Sequence, residues 1–261
     1  MDYVVLADKI ETIARNAGLL INNPMNVEVS EKDGAANIVT NMDIAAQRYI
    51  INECSKLIEG ATFIAEEGDV FSMGEGYTWI IDPIDGTTNY AYGYQHSCIS
   101  IALLNKGKGI IGVVYNPYLN ECFKGINGYG SFLNGEVIQV SNHAFDKALV
   151  LVGTAPYHKE FADHTFDVIK RIFLKGRDVR RSGSAVLDLC YVACGRVDAF
   201  YEASLFPWDY AAGEVIVKNA KGTLEAITPN EIKYDKEIGV IAGNQVCFQE
   251  LKEIVGVHRH E

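Results

Sequence analysis

The chain has no CxxC pair and no cluster of His and Cys at zinc spacing, which argues against a zinc ribbon or a thioredoxin-type redox centre. Its six cysteines (Cys54, Cys98, Cys122, Cys190, Cys194 and Cys247) are scattered, mostly inside apolar runs, and read as buried free thiols. A GxxxxGK[ST] phosphate loop and a GxSxG nucleophile elbow are both missing. So are internal repeats, low-complexity tracts and a linker. Positive charge is in short supply: 23 Lys and Arg against 34 Asp and Glu give a formal net charge of −11. That balance argues against a nucleic-acid phosphate track or an anionic membrane surface as partner. It does not exclude an anionic small substrate, because bound cations reverse a local field. The N-terminal "MDYVVLADKIETIARN" carries charges every few residues and reads as neither signal peptide nor membrane span, so a cytoplasmic protein is expected.

What is present is enough apolar residue, 48%, in 261 residues to bury a large core. Val4, Ala7, Ile10, Ala14, Ala17 and Ile21 recur at helical spacing, and "NNP" at 22–24 stops that helix. A second helix is expected from about Asn41 to Leu57, with Ile44, Ile51 and Ile58 on its inner face and Gly60 at its end. "TFIAEE" and "YTWIID" read as strands, then "CISIALL", "GIIGVVYNP", "ECFKGI" and a "FLNGEVIQV" hairpin. From residue 148 strands and helices alternate: "ALVLVG", a helix at 162–174, "DVRR", a helix at 184–194, "VDAFYE", a helix from "WDYAAG" to Gly222, "EIGVIAG" and a last helix. The expected class is α/β, with layered helices and sheets. Two lobes, about 1–145 and 146–261, are expected to pack as one catalytic domain.

The segment "WIIDPIDGTTNY", residues 79–90, leaves a buried strand and at once presents two aspartates, a glycine and two threonines. Pro83 biases Asp82 toward extended backbone, so the strand is expected to stop there. Asp82 and Asp85 then flank a turn and can face one side. Gly86 permits an unusual φ, and Thr87 or Thr88 can cap a short helix whose N–H groups would face an anion. Paired carboxylates beside such a nest suit a divalent cation that bridges to phosphate, although a plain capped turn uses the same residues. An EF-hand loop fails, since it would need oxygen ligands at Ile81 and Pro83 and a Glu at Tyr92. Elsewhere "FIAEE" puts Glu66 and Glu67 at a strand end, "PWDYAAG" puts Asp209 at a helix start, and "NIVTNMD" does the same for Asp43. Each alone is an ordinary place for an acid. His96, His143, His158 and His164 form no metal or triad spacing, and "NKGKG" at 105–109 reads as a turn between strands.

Together these stretches resemble the inositol monophosphatase family of magnesium-dependent, lithium-sensitive sugar phosphatases. "VTNMD", "AEE", "WIIDPIDGTTNY" and "PWDYAAG" fall in the family's order across nearly the whole chain, and the last two motifs are specific. The resemblance implies an α-β-α-β-α sandwich and two or three Mg²⁺ ions. Glu66, Asp82 and the Ile84 carbonyl would hold the first ion, and Asp82, Asp85 and Asp209 the second. A weaker third would lie near Glu66. Gly86 and Thr87 would bind phosphate through backbone N–H groups, and Thr87 with Asp43 would orient the attacking water. From "SGSAV", Gly183, Ser184 and Ala185 would line the sugar pocket with Asp209, while Glu202 would bind ring hydroxyls. The family is commonly dimeric, so a homodimer is expected. Ala65 stands where the family usually has Gly, and the stretch between Glu67 and Trp79 is short. Lys32 falls near the family's loop lysine.

The implied activity is a phosphomonoesterase acting through metal-activated water, with no covalent phosphoenzyme, because Asp82 and Asp85 are too far apart for an Asp-x-Asp nucleophile. Inositol monophosphate is the expected substrate. Fructose 1,6-bisphosphate or a 3′-phosphonucleotide is the alternative with the same site, and a non-catalytic metal- or phosphate-binding regulator is the alternative of another class. Glu202 favours a hydroxylated ring. Arg180 or Arg181, if turned inward, would favour a bisphosphate, and both are expected at a solvated strand end.

Overall fold

The computed structural model describes residues 1–22, 27–32, 36–68, 72–228 and 232–256. Helix α1 (Tyr3–Asn22) buries Ala7, Ile10, Ala14, Ala17 and Ile21 as its spacing dictates, while Val4 faces solvent. Asn23 and Pro24, expected to stop it, lie outside the described residues. Two three-residue strands, β1 (Val29–Glu31) and β2 (Ile38–Thr40), pair antiparallel. They are too short to carry a pattern in the sequence. Helix α2 (Asn41–Ser55) ends before Gly60 and buries Asp43, Ala46, Gln47, Ile50 and Cys54. The expected apolar face is corrected: Ile44 is exposed and Ile51 only half-buried, though Ile58 beyond the helix is buried. The helix is rotated because its capping residues Thr40 and Asp43 point inward, toward the site described below.

Seven strands form the first sheet: β3 (Thr62–Ala65), β4 (Tyr77–Asp85), β5 (Cys98–Asn105), β6 (Lys108–Asn116), β7 (Glu121–Ile126), β8 (Gly130–Leu133) and β9 (Glu136–Ile138), in that spatial order. Only β3 and β4 are parallel; the rest form an antiparallel meander. The second sheet has the order β11 (Asp178–Arg180), β10 (Leu149–Val152), β12 (Ala199–Leu205), β14 (Ile238–Gly243), β13 (Thr223–Ala226). β10 runs parallel to β11 and β12, and β14 runs antiparallel to β12 and β13. β13 is too short, at four residues after Gly222, to carry a strand pattern in the sequence.

The period-two alternation of each strand sorts its side chains into separate layers. On β5, Ile99, Ile101 and Leu103 join the core under α1 and α2, whereas Cys98, Ala102 and Leu104 join a second core. That second core also takes α5 (Ala185–Ala193), α6 (Pro207–Asn219) and one face of the second sheet, including Phe200, Val240 and Ala242. Ala199, Tyr201 and Ile241 face the other way, against α4 (Ala162–Lys175) and α7 (Cys247–Val255). The order of layers is therefore helix, sheet, helix, sheet, helix, the sandwich expected. Each fully buried Ile or Leu in it stabilises by about 1.5–3 kcal/mol. The central helix α6 lies directly on the first sheet because β6 and β7 offer glycine there. A Cβ on Gly112 would sit 2.3 Å from the Ala212 oxygen, and one on Gly125 would sit 2.7 Å from Ile216 Cα.

Candidate active site

β4 does not stop at Asp82; it pairs with β5 as far as Asp85, correcting the expected end. In a regular strand, residues three apart point to opposite faces. Here Asp82 lies opposite Ser100 and Asp85 opposite Cys98, so three steps on β4 match two on β5. The extra residue of this bulge brings both carboxylates to one side. Asp209, on the first turn of α6, completes the group: one carboxylate oxygen from each of the three acids lies within 4.8 Å of the others. The Asp209 carboxylate is held by the Phe206 N–H, 2.8 Å away, and Asp82 Oδ1 accepts from the Ile84 N–H at 3.0 Å.

Burial pushes the carboxyls of Asp82 and Asp209 well above their usual range, and neighbouring acids push them further: Glu66, Asp85 and Asp209 for Asp82, chiefly Asp85 and Glu66 for Asp209. Asp85 is raised to about 6 by burial, opposed by hydrogen bonds from Ser184 and Val186. Among the described residues no Lys or Arg forms an ion pair with any of the three. Carboxylates gathered in this way, Asp82 and Asp85 buried and Asp209 half-buried, are a donor set suited to a divalent cation with oxygen ligands. Glu66, directly after β3, borders the same cavity beside Asp82, but its carboxylate is engaged by Lys32 Nζ at 3.0 Å. The same ammonium reaches Glu67 at 2.5 Å. Lys32, just past β1, is thus an exposed residue tied by two ion pairs to the glutamates that follow β3.

Gly86 adopts φ +89°, and a Cβ there would sit 3.1 and 3.2 Å from the carbonyls of His96 and Gly183, so only glycine fits. It occupies the cap position of α3 (Thr87–Ala91), with Thr87 as the first helical residue, which corrects the expected threonine cap. The Thr87 hydroxyl lies 3.1 Å from Asp43 Oδ1 and 3.0 Å from the Ile84 carbonyl, with either of which it can bond. Asp43 is the third residue of α2; its Oδ2 accepts from the Thr40 N–H (2.8 Å) and hydroxyl (2.5 Å) in a capping box. Burial raises its pKa to about 6.

Glu66, Asp82, Ile84, Asp85, Gly86, Thr87 and Asp209 line one cavity of about 640 Å³, together with Gly183, Ser184, Ala185 and Glu202. Glu202 sits on β12, 6% exposed, and accepts the Ala155 N–H at 3.0 Å. Burial raises it to about 7, against the pull of that N–H and of Arg181. A Cβ on Gly153 would fall 1.9 Å from Glu202 Cδ, so the glycine ending β10 makes room for the carboxylate. That glycine in "LVGTAP" is the one sequence signal for this shelf. Both arginines are exposed, as expected, but they differ in their neighbours: Arg180 bonds Asp178, while Arg181 borders the cavity and has no ion-pair partner among the described residues. His158 also reaches the rim, joined to Glu237 at 2.6 Å.

Comparison with known proteins gives the family. The family model described as the inositol monophosphatase family matches residues 2–258. The Nus factor SuhB of Escherichia coli K12 is 39% identical over 237 residues, covering 88% of each chain. Inositol monophosphatase 2 of Solanum lycopersicum is 42% identical over 214 residues, 78% of this chain and 80% of its own. Among solved structures, the Thermotoga maritima IMPase superposes with a TM-score of 0.85 at 36% identity, covering 98% of this chain and 97% of that one. With the sandwich, the bulged "DPID" strand end and these relatives in hand, the chain belongs to the inositol monophosphatase family and is a phosphatase, a phosphoric monoester hydrolase.

Proposed function

We propose that the protein hydrolyses a small sugar or polyol phosphate, inositol monophosphate above others, with Mg²⁺ as its cation. The observation that carries this reading is the trio Asp82, Asp85 and Asp209, the first two buried and the third half-buried, with no Lys or Arg ion pair among the described residues, on the wall of a cavity that ends in a hydroxyl-accepting carboxylate. On the family's pattern, Asp82, Asp85 and Asp209 hold one ion, while Glu66, Asp82 and the Ile84 carbonyl hold another. A third ion near Glu66 would compete with Lys32. When bound, Mg²⁺ polarises the phosphoryl group and makes water acidic enough to react near neutral pH. The chain's own part is positioning and proton handling. The Thr87 hydroxyl takes a hydrogen bond from the attacking water and passes its own proton toward Asp43, whose raised pKa suits it to receive one near pH 6. Gly86 and Thr87 cradle the phosphate through their backbone N–H groups. Water oxygen bonds to phosphorus as the ester P–O bond breaks; the leaving alkoxide takes a proton from solvent, Asp43 returns its own to solvent, and inorganic phosphate and the alcohol leave. Gly183, Ala185, Asp209 and Glu202 surround the ring, with Glu202 accepting two of its hydroxyls.

Arg181 supports a second reading. A guanidinium at the edge of the same cavity, with no ion pair among the described residues, would bind a second phosphate, as on fructose 1,6-bisphosphate. Hydrolysis rates across inositol, hexose and nucleotide phosphates with Mg²⁺ decide between them. We expect inositol monophosphate to lead. A strong preference for the bisphosphate that disappears in Arg181→Ala would promote the second reading. A binding role without turnover, to which the name Nus factor of one relative points, would give no metal-dependent hydrolysis of any of these esters. The family also suggests inhibition by lithium, a homodimer and a cytoplasmic setting. Light scattering tests the dimer, and a monomer would count against it.

A further inference from the structure

We propose that Ser184 is a positioning residue for Asp85 rather than a sugar contact, an inference that rests on the metal-dependent reading above. Ser184 is 1% exposed, and its hydroxyl donates to Asp85 Oδ2. The same oxygen accepts the Val186 N–H at 2.9 Å and faces the Cys98 thiol at 3.7 Å. Ser184 stands at the cap position of α5, where a serine ordinarily bonds its own helix's N–H groups, yet it makes no such bond. Asp85 does that work from another strand, accepting the second N–H of α5. A hydroxyl has one proton, and this one is committed to the carboxylate. With Oδ2 surrounded by donors, Asp85 is fixed in rotation and Oδ1 is left as its ligand atom. Ligands fixed in this way by outer hydrogen bonds hold a cation more tightly.

The loop is tied to the turn on its other side too. Asn89 Nδ2 bridges the carbonyls of Ser182 (3.0 Å) and His96 (2.7 Å), and the Gly183 carbonyl closes on Gly86. The loop that the family gives to the sugar and the turn that it gives to the metal are therefore one hydrogen-bonded unit, with Ser184 as the joint.

The test is calorimetric titration of Mg²⁺ into the chelator-treated full chain, for wild type, Ser184→Ala and Ser184→Thr. Alongside it, KM for inositol 1-phosphate is measured at saturating Mg²⁺. Ser184→Ala is expected to raise the Mg²⁺ Kd about 10- to 100-fold, the usual effect of losing an outer-shell partner. Its KM should stay within about threefold of wild type, and Ser184→Thr should restore the Kd. An unchanged Kd with a raised KM would overturn the proposal and return Ser184 to the sugar. Should Ser184→Ala fail to fold, Ser184→Cys replaces it, since a thiol donates weakly; a wild-type Kd there is equally contradictory. Wild type that neither takes up Mg²⁺ nor hydrolyses the ester overturns the functional reading and this one together. Wild type that does both, with a variant of equal Kd, overturns this one alone.

Discussion

Asp82 is asked to do two incompatible things, to be buried at 2% exposure and to stay charged beside three other acids. A cation reconciles them, and Asp82→Asn separates the roles. Turnover should fall by at least about a hundredfold, because the ion supplies several kcal/mol of transition-state stabilisation. The fold should survive, and the metal-free variant should melt above the metal-free wild type, since a crowded charge has gone. Melting curves with and without Mg²⁺ check this, and an unfolded variant would make Asp82 a structural turn residue. Glu202→Gln should cost about 1–3 kcal/mol in kcat/KM for an inositol phosphate, with Mg²⁺ affinity unchanged. Steady-state kinetics beside calorimetry reads both, and a matching loss of Mg²⁺ affinity would contradict the assignment. At this scale the acids were legible in the sequence because each sits in a motif. Which groups Lys32 and Arg181 face was not, because the direction of a long flexible side chain is set by what packs beneath it.

Among the elements, the bulge on β4 and the bare glycines under α6 matter most to the site. Gly112→Ala would drive a methyl into the Ala212 carbonyl, 2.3 Å from where the Cβ must go, and backbone cannot yield as a side chain tip can. We expect a loss of about 1–3 kcal/mol or more in chemical denaturation, with weaker Mg²⁺ binding because α6 carries Asp209. A wild-type midpoint and affinity would show that α6 can shift at no cost. The regular strands and long helices were readable from periodicity. The misreadings have physical reasons: Pro83 suggested a strand end, but a bulge absorbs it, and no pattern in "DPID" announces a bulge. The inner face of α2 was mistaken because polar Asp43 and Gln47 turn inward, Gln47 to bond the Glu67 backbone and Asp43 to meet Thr87. A rule that sends isoleucines inside cannot see that.

For the molecule as a whole, the buried acids link stability to pH. Asp43 and Asp85 are raised to about 6, and Glu67 and Glu202 to about 7, burial being the first cause of each. Between the ordinary carboxyl range and those values the folded chain binds more protons than the unfolded one, so stability falls as pH rises. Their contribution is full below about pH 4 and gone above about pH 7. Metal-free protein should therefore melt lower at pH 8 than at pH 5.5. Added Mg²⁺ should raise the melting temperature more at pH 8, where protons no longer compete for the ligands. Scanning calorimetry across that range checks the sign. The central claim is that a cation held by these acids drives ester hydrolysis. Its most direct test is phosphate release from inositol 1-phosphate by chelator-treated protein as Mg²⁺ is added back. No release above background is expected without the cation, and saturable recovery with it. Undiminished release after chelation, or none at any Mg²⁺ concentration, would contradict it.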